Sequence, residues 1–327
     1  MSNRVAFLCD ANADTGYGHL MRSLRLALTL SPSGIEPLFI GNFSQRARAF
    51  ADDFEVDMRD TKLSFGRRMQ ELCSDVSGVV IDTYEVTSDE FFSEQPIVLI
   101  DDYCQLPYFS IAGAINFTLG AIKYDYVGLG AAAQALGPEY FLPHPSLNPQ
   151  GHAFRETVNR ILVIIGSNDR HGAIPRVLDA LAQVRPGSEV RVLGTDKTDL
   201  HRANLEVEGL PFTGQMQQHH DWSDFCITSG GLAKYECAWL ARPAAVIANS
   251  SDEHRETREF AAGGLCFDLG TALNLDDREL RHRLATILDD TELRRSAHAE
   301  CRAVFDPGSS SAAARFTARC LGIASEA

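Results

Sequence analysis

Short apolar runs rich in Val and Ile recur along the whole 327-residue chain, each followed by a turn signal and then a stretch of helical period. This rhythm constrains the fold more than any other feature, because parallel strands can be joined only by long crossovers, most often helices. In the first half strands are read at 5–9, 37–40, 78–81, 97–100 and 114–117. In the second half they are read at 160–165, 189–193, 224–228, 244–248 and 265–268. The runs are continuously apolar more than alternating, as suits strands covered by helices on both faces. Beyond residue 268 the pattern turns helical, at 276–288, 291–304 and 311–321.

Between the two sets lies LPHPSLNPQGHAF, residues 142–154, with three prolines, one glycine and no periodicity. The length also suggests two domains, at roughly 100–200 residues each. The expected architecture is therefore two doubly wound, Rossmann-like α/β domains with a cleft between them. They span 1–148 and 149–327, with the last helix packing back toward the first. In open parallel sheets ligands bind beyond the carboxyl ends of the strands, so the loops that follow the strands hold the candidate residues.

Composition narrows the partners. Lys+Arg 30 against Asp+Glu 44 leave a net charge of −14, and there is no local basic patch, so neither nucleic acid nor an anionic membrane surface is an expected partner. No apolar run approaches the roughly 20 residues needed to span a bilayer. The eight cysteines form no C-x-x-C pair and no Cys/His cluster at zinc-ligand spacing. The start, MSNRVAFLCDAN, lacks a signal-peptide pattern. Together these predict a soluble, cytoplasmic protein without a metal site. His219 and His220 read as part of a polar loop without further ligands nearby.

The loop after the first strand reads Asp10-Ala-Asn-Ala-Asp-Thr-Gly16-Tyr17-Gly18-His19, followed by a strong helix. Its glycines allow a tight turn and a close backbone approach, and the helix aims free N–H groups at the loop. His19 falls in the first turn, either as a proton acceptor or as a packed or capping side chain. After 224–228 comes Ser229-Gly230-Gly231-Leu-Ala-Lys234-Tyr-Glu236, two glycines at a helix N-terminus. This suits an anion such as a pyrophosphate, with Glu236 one turn on as a ribose acceptor, although a plain glycine turn has the same spacing. Gly166-Ser167-Asn168-Asp169 binds phosphate or sugar, or caps the next helix. Asp82, Tyr84, Asp101 and Asp102 stand at the ends of first-half strands. Adjacent aspartates in a strand point apart, so Asp101 and Asp102 are no acid/base couple, but one Asp can orient His19.

These segments, taken in order, resemble the PseG family of nucleotide-sugar hydrolases. The resemblance runs through CDANADTGYGHLMRSLRLA, VVIDTY, VLIDDY, LGPEYFLPHP, ILVIIGSND, FCITSGGLAKYECAWLARP and FDPGSSSAAARF. It implies a GT-B architecture with the nucleotide in the C-terminal domain. It also implies release of UDP from a diacetamido-trideoxy sugar by water attack with inversion, on the pseudaminic acid route, with no metal or cofactor. His19 falls on the catalytic histidine, with Asp10, Asp82 and Tyr84 as sugar-side residues beside the Gly16-Tyr17-Gly18 turn. Ser229, Gly230 and Gly231 match the diphosphate loop and Glu236 the ribose carboxylate, while Gly166 and Lys234 are read as further diphosphate contacts although the family's Gly-Gly-x-Asp motif here reads Gly166-Ser167-Asn168-Asp169. The chain departs from the family at Leu8, where Arg is usual, at Thr83, where His is usual, and at Asp252-Glu253 in place of an Asn-Gln pair. Two acids there would repel a diphosphate unless Lys234, His254 or Arg255 compensates. A GT-B glycosyltransferase, with an acceptor hydroxyl replacing water, and a non-catalytic binding protein of the same descent are the rival expectations.

Overall fold

The computed structural model describes residues 4–12, 15–52, 54–61, 71–84, 94–104, 111–148, 153–166, 169, 171–195 and 200–323. The chain forms two compact units, Met1–Pro145 with Gly308–Ala327 and Ser146–Pro307. The division expected at 148/149 thus falls at Pro145/Ser146, and the last segment belongs to the first unit.

The first unit holds a seven-stranded sheet in the order β3-β2-β1-β4-β5-β6-β7, with every neighbouring pair parallel. Its strands are β1 (Arg4–Leu8), β2 (Glu36–Gly41), β3 (Asp57–Asp60), β4 (Gly78–Ile81), β5 (Ile97–Ile100), β6 (Gly113–Asn116) and β7 (Gln134–Leu136). Both faces are buried. Ala6, Leu8, Leu38, Ile40, Val79 and Ile81 share one apolar cluster, while Phe7 stacks on Phe39 at 5.1 Å. Strand order reverses direction between β1 and β4, so the chain leaves these two neighbours toward opposite edges and opens a crevice at their carboxyl ends.

Helix α1 (Gly18–Leu30) follows β1 through a turn that Gly16 makes possible, at φ +74°. It ends at Ser31-Pro32, where proline cannot continue it. The C-terminal helix, Ser309–Leu321, is held to α1 by Arg25, whose Nε donates to Ser310 Oγ (3.0 Å) and whose Nη1 donates to the Pro145 carbonyl (3.0 Å). Glycines make room for it on the sheet. A Cβ on Gly113 would lie 2.7 Å from Cys320 Sγ and 2.8 Å from the Phe316 ring, and one on Gly78 would lie 3.0 Å from Leu321.

The second unit repeats the plan with six strands in the order β10-β9-β8-β11-β12-β13, all parallel. They are β8 (Arg160–Ile164), β9 (Glu189–Leu193), β10 (Glu206–Leu210), β11 (Phe225–Ser229), β12 (Ala244–Ala248) and β13 (Phe267–Thr271). Order reverses here between β8 and β11. The helices that concern the site are α2 (Ala173–Val184), α3 (Met216–Trp222), α4 (Leu232–Trp239) and α5 (Ser251–Ala262). Two later helices start on acidic caps, Asp276 accepting from Glu279 N and Asp290 from Leu293 N. Among the described residues no helix is long and apolar enough to cross a membrane.

Three strands escape the sequence reading: β3, β7 and β10. All lie at sheet edges and are short or polar, with β3 and β10 largely exposed, so neither continuous hydrophobicity nor clean alternation marks them.

Gly113→Ala tests the docking of the last helix. It should destabilise the protein by about 1–3 kcal/mol through overpacking against Phe316 and Cys320, read as a lower urea midpoint at unchanged slope. An unchanged midpoint would show that this helix is not seated as described.

Candidate functional site

At the β1/β4 reversal of the first unit, α1 brings His19 and Arg22 over the carboxyl ends of the strands. Asp82 follows β4, and its N–H extends the ladder by donating to the Leu8 carbonyl (2.9 Å). Its side chain accepts from His19 Nδ1 (2.6 Å), from Arg22 Nε and Nη2 (both 2.6 Å) and from Ser23 Oγ (3.4 Å). Arg22 Nη1 reaches both oxygens of Asp102, at 2.9 and 2.8 Å. The Tyr84 hydroxyl donates to Asp102 in turn, and its ring packs edge-on to His19 at 4.7 Å. The guanidinium also lies 5.4 Å from the Phe117 ring centre.

The electrostatics follow from burial. Asp82 is 0% and Arg22 5% exposed. Burial alone would raise the Asp82 pKa, but Arg22 and His19 outweigh it and hold the carboxyl below its ordinary value of 3.8. Burial works against the Arg22 charge as well, and Asp102 and Asp82 reverse that, raising its pKa well above the ordinary arginine value. Although Tyr84 is half exposed, loss of water around its hydroxyl and then the Asp102 charge push the phenol up, so it stays a hydrogen-bond donor. With Nδ1 engaged by Asp82, His19 presents Nε2 as its remaining nitrogen. A carboxylate behind a histidine fixes the tautomer and stabilises the imidazolium once a proton is taken.

The other first-unit candidates make local contacts. Asp10 accepts from Asn42 N (2.7 Å), tying the ends of β1 and β2 together. Gly16 N donates to the Asn12 carbonyl (2.9 Å). Tyr17 is the N-cap residue of α1, with its ring edge-on to Phe50 at 5.6 Å, and Gly18 faces open space. Asp101 and Asp102 part company: Asp101 accepts from Tyr103 N, Cys104 N and Tyr126 OH, while Asp102 faces Arg22. Leu8 is a core residue and Thr83 is buried. The sequence reading missed Arg22, although its i+3 spacing from His19 puts both on one helix face, and it interrupts the apolar stripe of Leu20, Leu24 and Ala27.

At the β8/β11 reversal of the second unit, Gly166, Ser229, Gly230, Gly231 and Asn249 converge. Gly166 turns at φ +77°, and a Cβ there would lie 3.9 Å from Ser229 Oγ and 4.0 Å from Asn249 Nδ2. Gly231 is the N-cap of α4 and has no side-chain cap, so the first N–H groups of that helix have no side-chain acceptor at its cap. Ser167 and Asn168 lie outside the described residues. Asp169 caps α2, accepting from Ala173 N (2.7 Å) and Ile174 N (3.0 Å).

The charged residues near this loop are partnered. Lys234 is not aimed at the loop: its ammonium is buried, donates to Glu256 (3.0 Å) and sits 4.6 Å from the Phe260 ring centre. It points inward because it continues the buried face of α4. His254 and Arg255 also have acids of their own, Asp268 at 3.3 Å and Asp252 at 3.1 Å. Asp252 and Glu253 form the first turn of α5, whose N-cap is Ser250. Ser250 Oγ accepts from Glu253 N (3.2 Å), and Glu253 Oε2 reaches back to Asn249 N (2.7 Å). This places Glu253 against the glycine loop, since a Cβ on Gly230 would lie 2.8 Å from the Glu253 Cβ and 3.1 Å from its Oε2. Glu236 is buried on α4, 5% exposed. Finally, His219 and His220 lie on α3 instead of in a loop, and the ligating atoms of His220, Cys226 and Cys237 lie within 4.8 Å of one another, a cluster that spacing alone did not show.

No protein-family model matches the chain, and no curated protein matches it. Solved structures do. Acinetobacter baumannii MurG superposes with a TM-score of 0.67 at 14% identity, over 97% of this chain and 99% of that one. The spinosyn forosaminyltransferase SpnP gives 0.67 at 13%, over 98% and 99%. S. aureus MnaA with UDP gives 0.67 at 11%, over 100% and 98%. The fold is GT-B, two parallel-sheet α/β units.

Two outcomes test the buried cluster. Arg22→Met leaves two facing carboxylates without their cation, so it should cost about 3–5 kcal/mol at neutral pH and less at acid pH, where the carboxyls protonate. Because the folded Asp82 pKa lies below 3.8, its contribution is present above that pH and lost as pH falls through the folded value. Unfolding free energy should therefore fall more steeply below pH 4 in the wild type than in Asp82→Asn; equal slopes would show Asp82 to be uncoupled.

Proposed function

We propose that this chain is an enzyme acting on a nucleoside-diphosphate sugar, with His19 as the base. The carrying observation is the His19–Asp82 hydrogen bond at the strand-order reversal of the first sheet, which frees Nε2 to take a proton. The nucleophile loses that proton as its oxygen bonds to the anomeric carbon. The bond from that carbon to the phosphate oxygen breaks with inversion, and the diphosphate leaves with the electron pair. In the second unit, the backbone N–H groups at Ser229–Gly231 and the turn at Gly166 are of the kind that bind a diphosphate. Tyr84 and Arg22 act through position: Arg22 holds Asp82 and Asp102, and Tyr84 walls the imidazole.

The finer reading is hydrolysis of a UDP-linked diacetamido-trideoxy sugar, supported by the ordered motifs around His19 and the glycine loop. MnaA, a structural neighbour, was solved with UDP, which supports the nucleotide. Transfer to a hydroxyl is the second reading. It is favoured by exposed apolar side chains after β6, Ile122 at 86%, Val127 at 49% and Leu129 at 53%, a surface suited to an apolar acceptor, and by the forosaminyltransferase among the neighbours.

Incubation with UDP-, CDP-, GDP- and dTDP-sugars, with and without acceptors, followed by NMR, separates the readings. Diphosphate release without acceptor is the expected result; release only with acceptor would establish transfer, and failure to bind any of them would sink both. His19→Ala and Asp82→Asn should each lower turnover by about 10²–10⁴-fold with nucleotide affinity kept. Glu253→Gln removes a negative charge beside the glycine loop and should tighten UDP binding about tenfold, or ~1.4 kcal/mol. Weaker binding would instead make Glu253 a hydroxyl acceptor.

A further inference from the structure

His220 on α3, Cys226 on β11 and Cys237 on α4 are all fully buried in the second unit. Their ligating atoms lie within 4.8 Å of one another, with Cys226 Sγ 4.0 Å from His220 Nδ1. Two ligands about 2.3 Å from one ion stand about 4 Å apart in a trigonal arrangement, so small side-chain rotations would bring all three onto a single centre. A second observation sets this group apart from ordinary core thiols. The His220 imidazole is 0% exposed, and its Nδ1 faces sulfur, a weak partner. Sulfur is a poor hydrogen-bond partner for that nitrogen, whereas an ion held by the thiolates would give Nδ1 a full ligand bond.

The donor set selects the ion. Thiolate sulfur with imidazole suits soft cations, Cu(I) or Zn(II) among them. Structural zinc takes four ligands, whereas this cluster has three, and the Ser223 hydroxyl, 3.7 Å from Cys226 Sγ, already donates to the His220 carbonyl (3.0 Å). Charge points the same way. Arg242, 3% exposed, donates from Nη2 to the same carbonyl (3.1 Å) and brings one positive charge to the site. Two thiolates, one monovalent cation and that guanidinium sum to zero, while a divalent ion would leave a buried net charge, which is costly.

We propose that His220, Cys226 and Cys237 form a closed, three-coordinate Cu(I) site. Binding releases two thiol protons to solvent and changes no oxidation state. The ion ties β11 to α4 on either side of the Ser229–Gly231 loop, and the site stands whether or not the chain acts on nucleotide sugars.

The test uses the full-length protein, reduced and stripped with a chelator, then titrated anaerobically with Cu(I) against a chromophoric Cu(I) chelator, and in parallel with Zn(II). One Cu(I) per chain should be retained, with X-ray absorption showing two sulfurs and one nitrogen. Cys226→Ser and Cys237→Ser should each weaken retention at least tenfold, and a Cys266→Ser, Cys301→Ser control should not. Absence of retention, retention unchanged in the Cys226 and Cys237 variants, or tighter binding of Zn(II) would overturn the assignment. Should the variants fail to fold, the absorption spectrum of the wild type decides: a shell without two sulfurs refutes the site.

Discussion

The buried guanidinium of Arg22 is the interaction on which the first unit's site depends. A charge taken out of water is tolerable only if it is paired and hydrogen-bonded, and here two carboxylates from two different strands do the pairing. Asp82 and Asp102 are fixed by the sheet, so Arg22 must come from the helix that crosses above them. Once it does, His19, one turn earlier on α1, is delivered to the remaining side of Asp82. The dyad is thus a by-product of satisfying a buried cation, and its geometry is as rigid as the ion pairs behind it.

The second unit meets the opposite problem. Its glycine loop offers N–H groups at the start of α4, and the neighbouring helix α5 places a carboxylate against them through the bonds Glu253 makes at its N-terminus. Negative charge in the first turn stabilises α5 while setting a like charge beside any anion at Gly230. The two effects share one residue, Glu253. In this unit the buried lysine does not relieve that charge, because Glu256 and the Phe260 ring hold it in the interior.

Much of this was legible in the chain before folding. Continuous apolar runs located the central strands of both sheets, because strands covered on both faces carry hydrophobic residues at every position. The edge strands β3, β7 and β10 lack that signature for the same reason in reverse. His19 in a first helical turn, and glycines before α4, were visible because turn chemistry is local. Arg22 was not, since a lone arginine in an amphipathic helix reads as solvent-facing until the carboxylates that neutralise it are brought beside it.

What the sequence determined by itself is the layering: apolar periodicity and glycine punctuation require two doubly wound α/β units, with polar loops at strand ends. What only tertiary structure decided is which charges meet. Asp82 and Asp102 lie 60 and 80 residues from Arg22, and Lys234 turned inward to Glu256 although its spacing suited the loop. His220, Cys226 and Cys237 share no spacing that a motif would register. Periodicity encodes which face of an element is buried, a one-dimensional property, whereas the pairing of buried polar groups depends on strand order and helix placement.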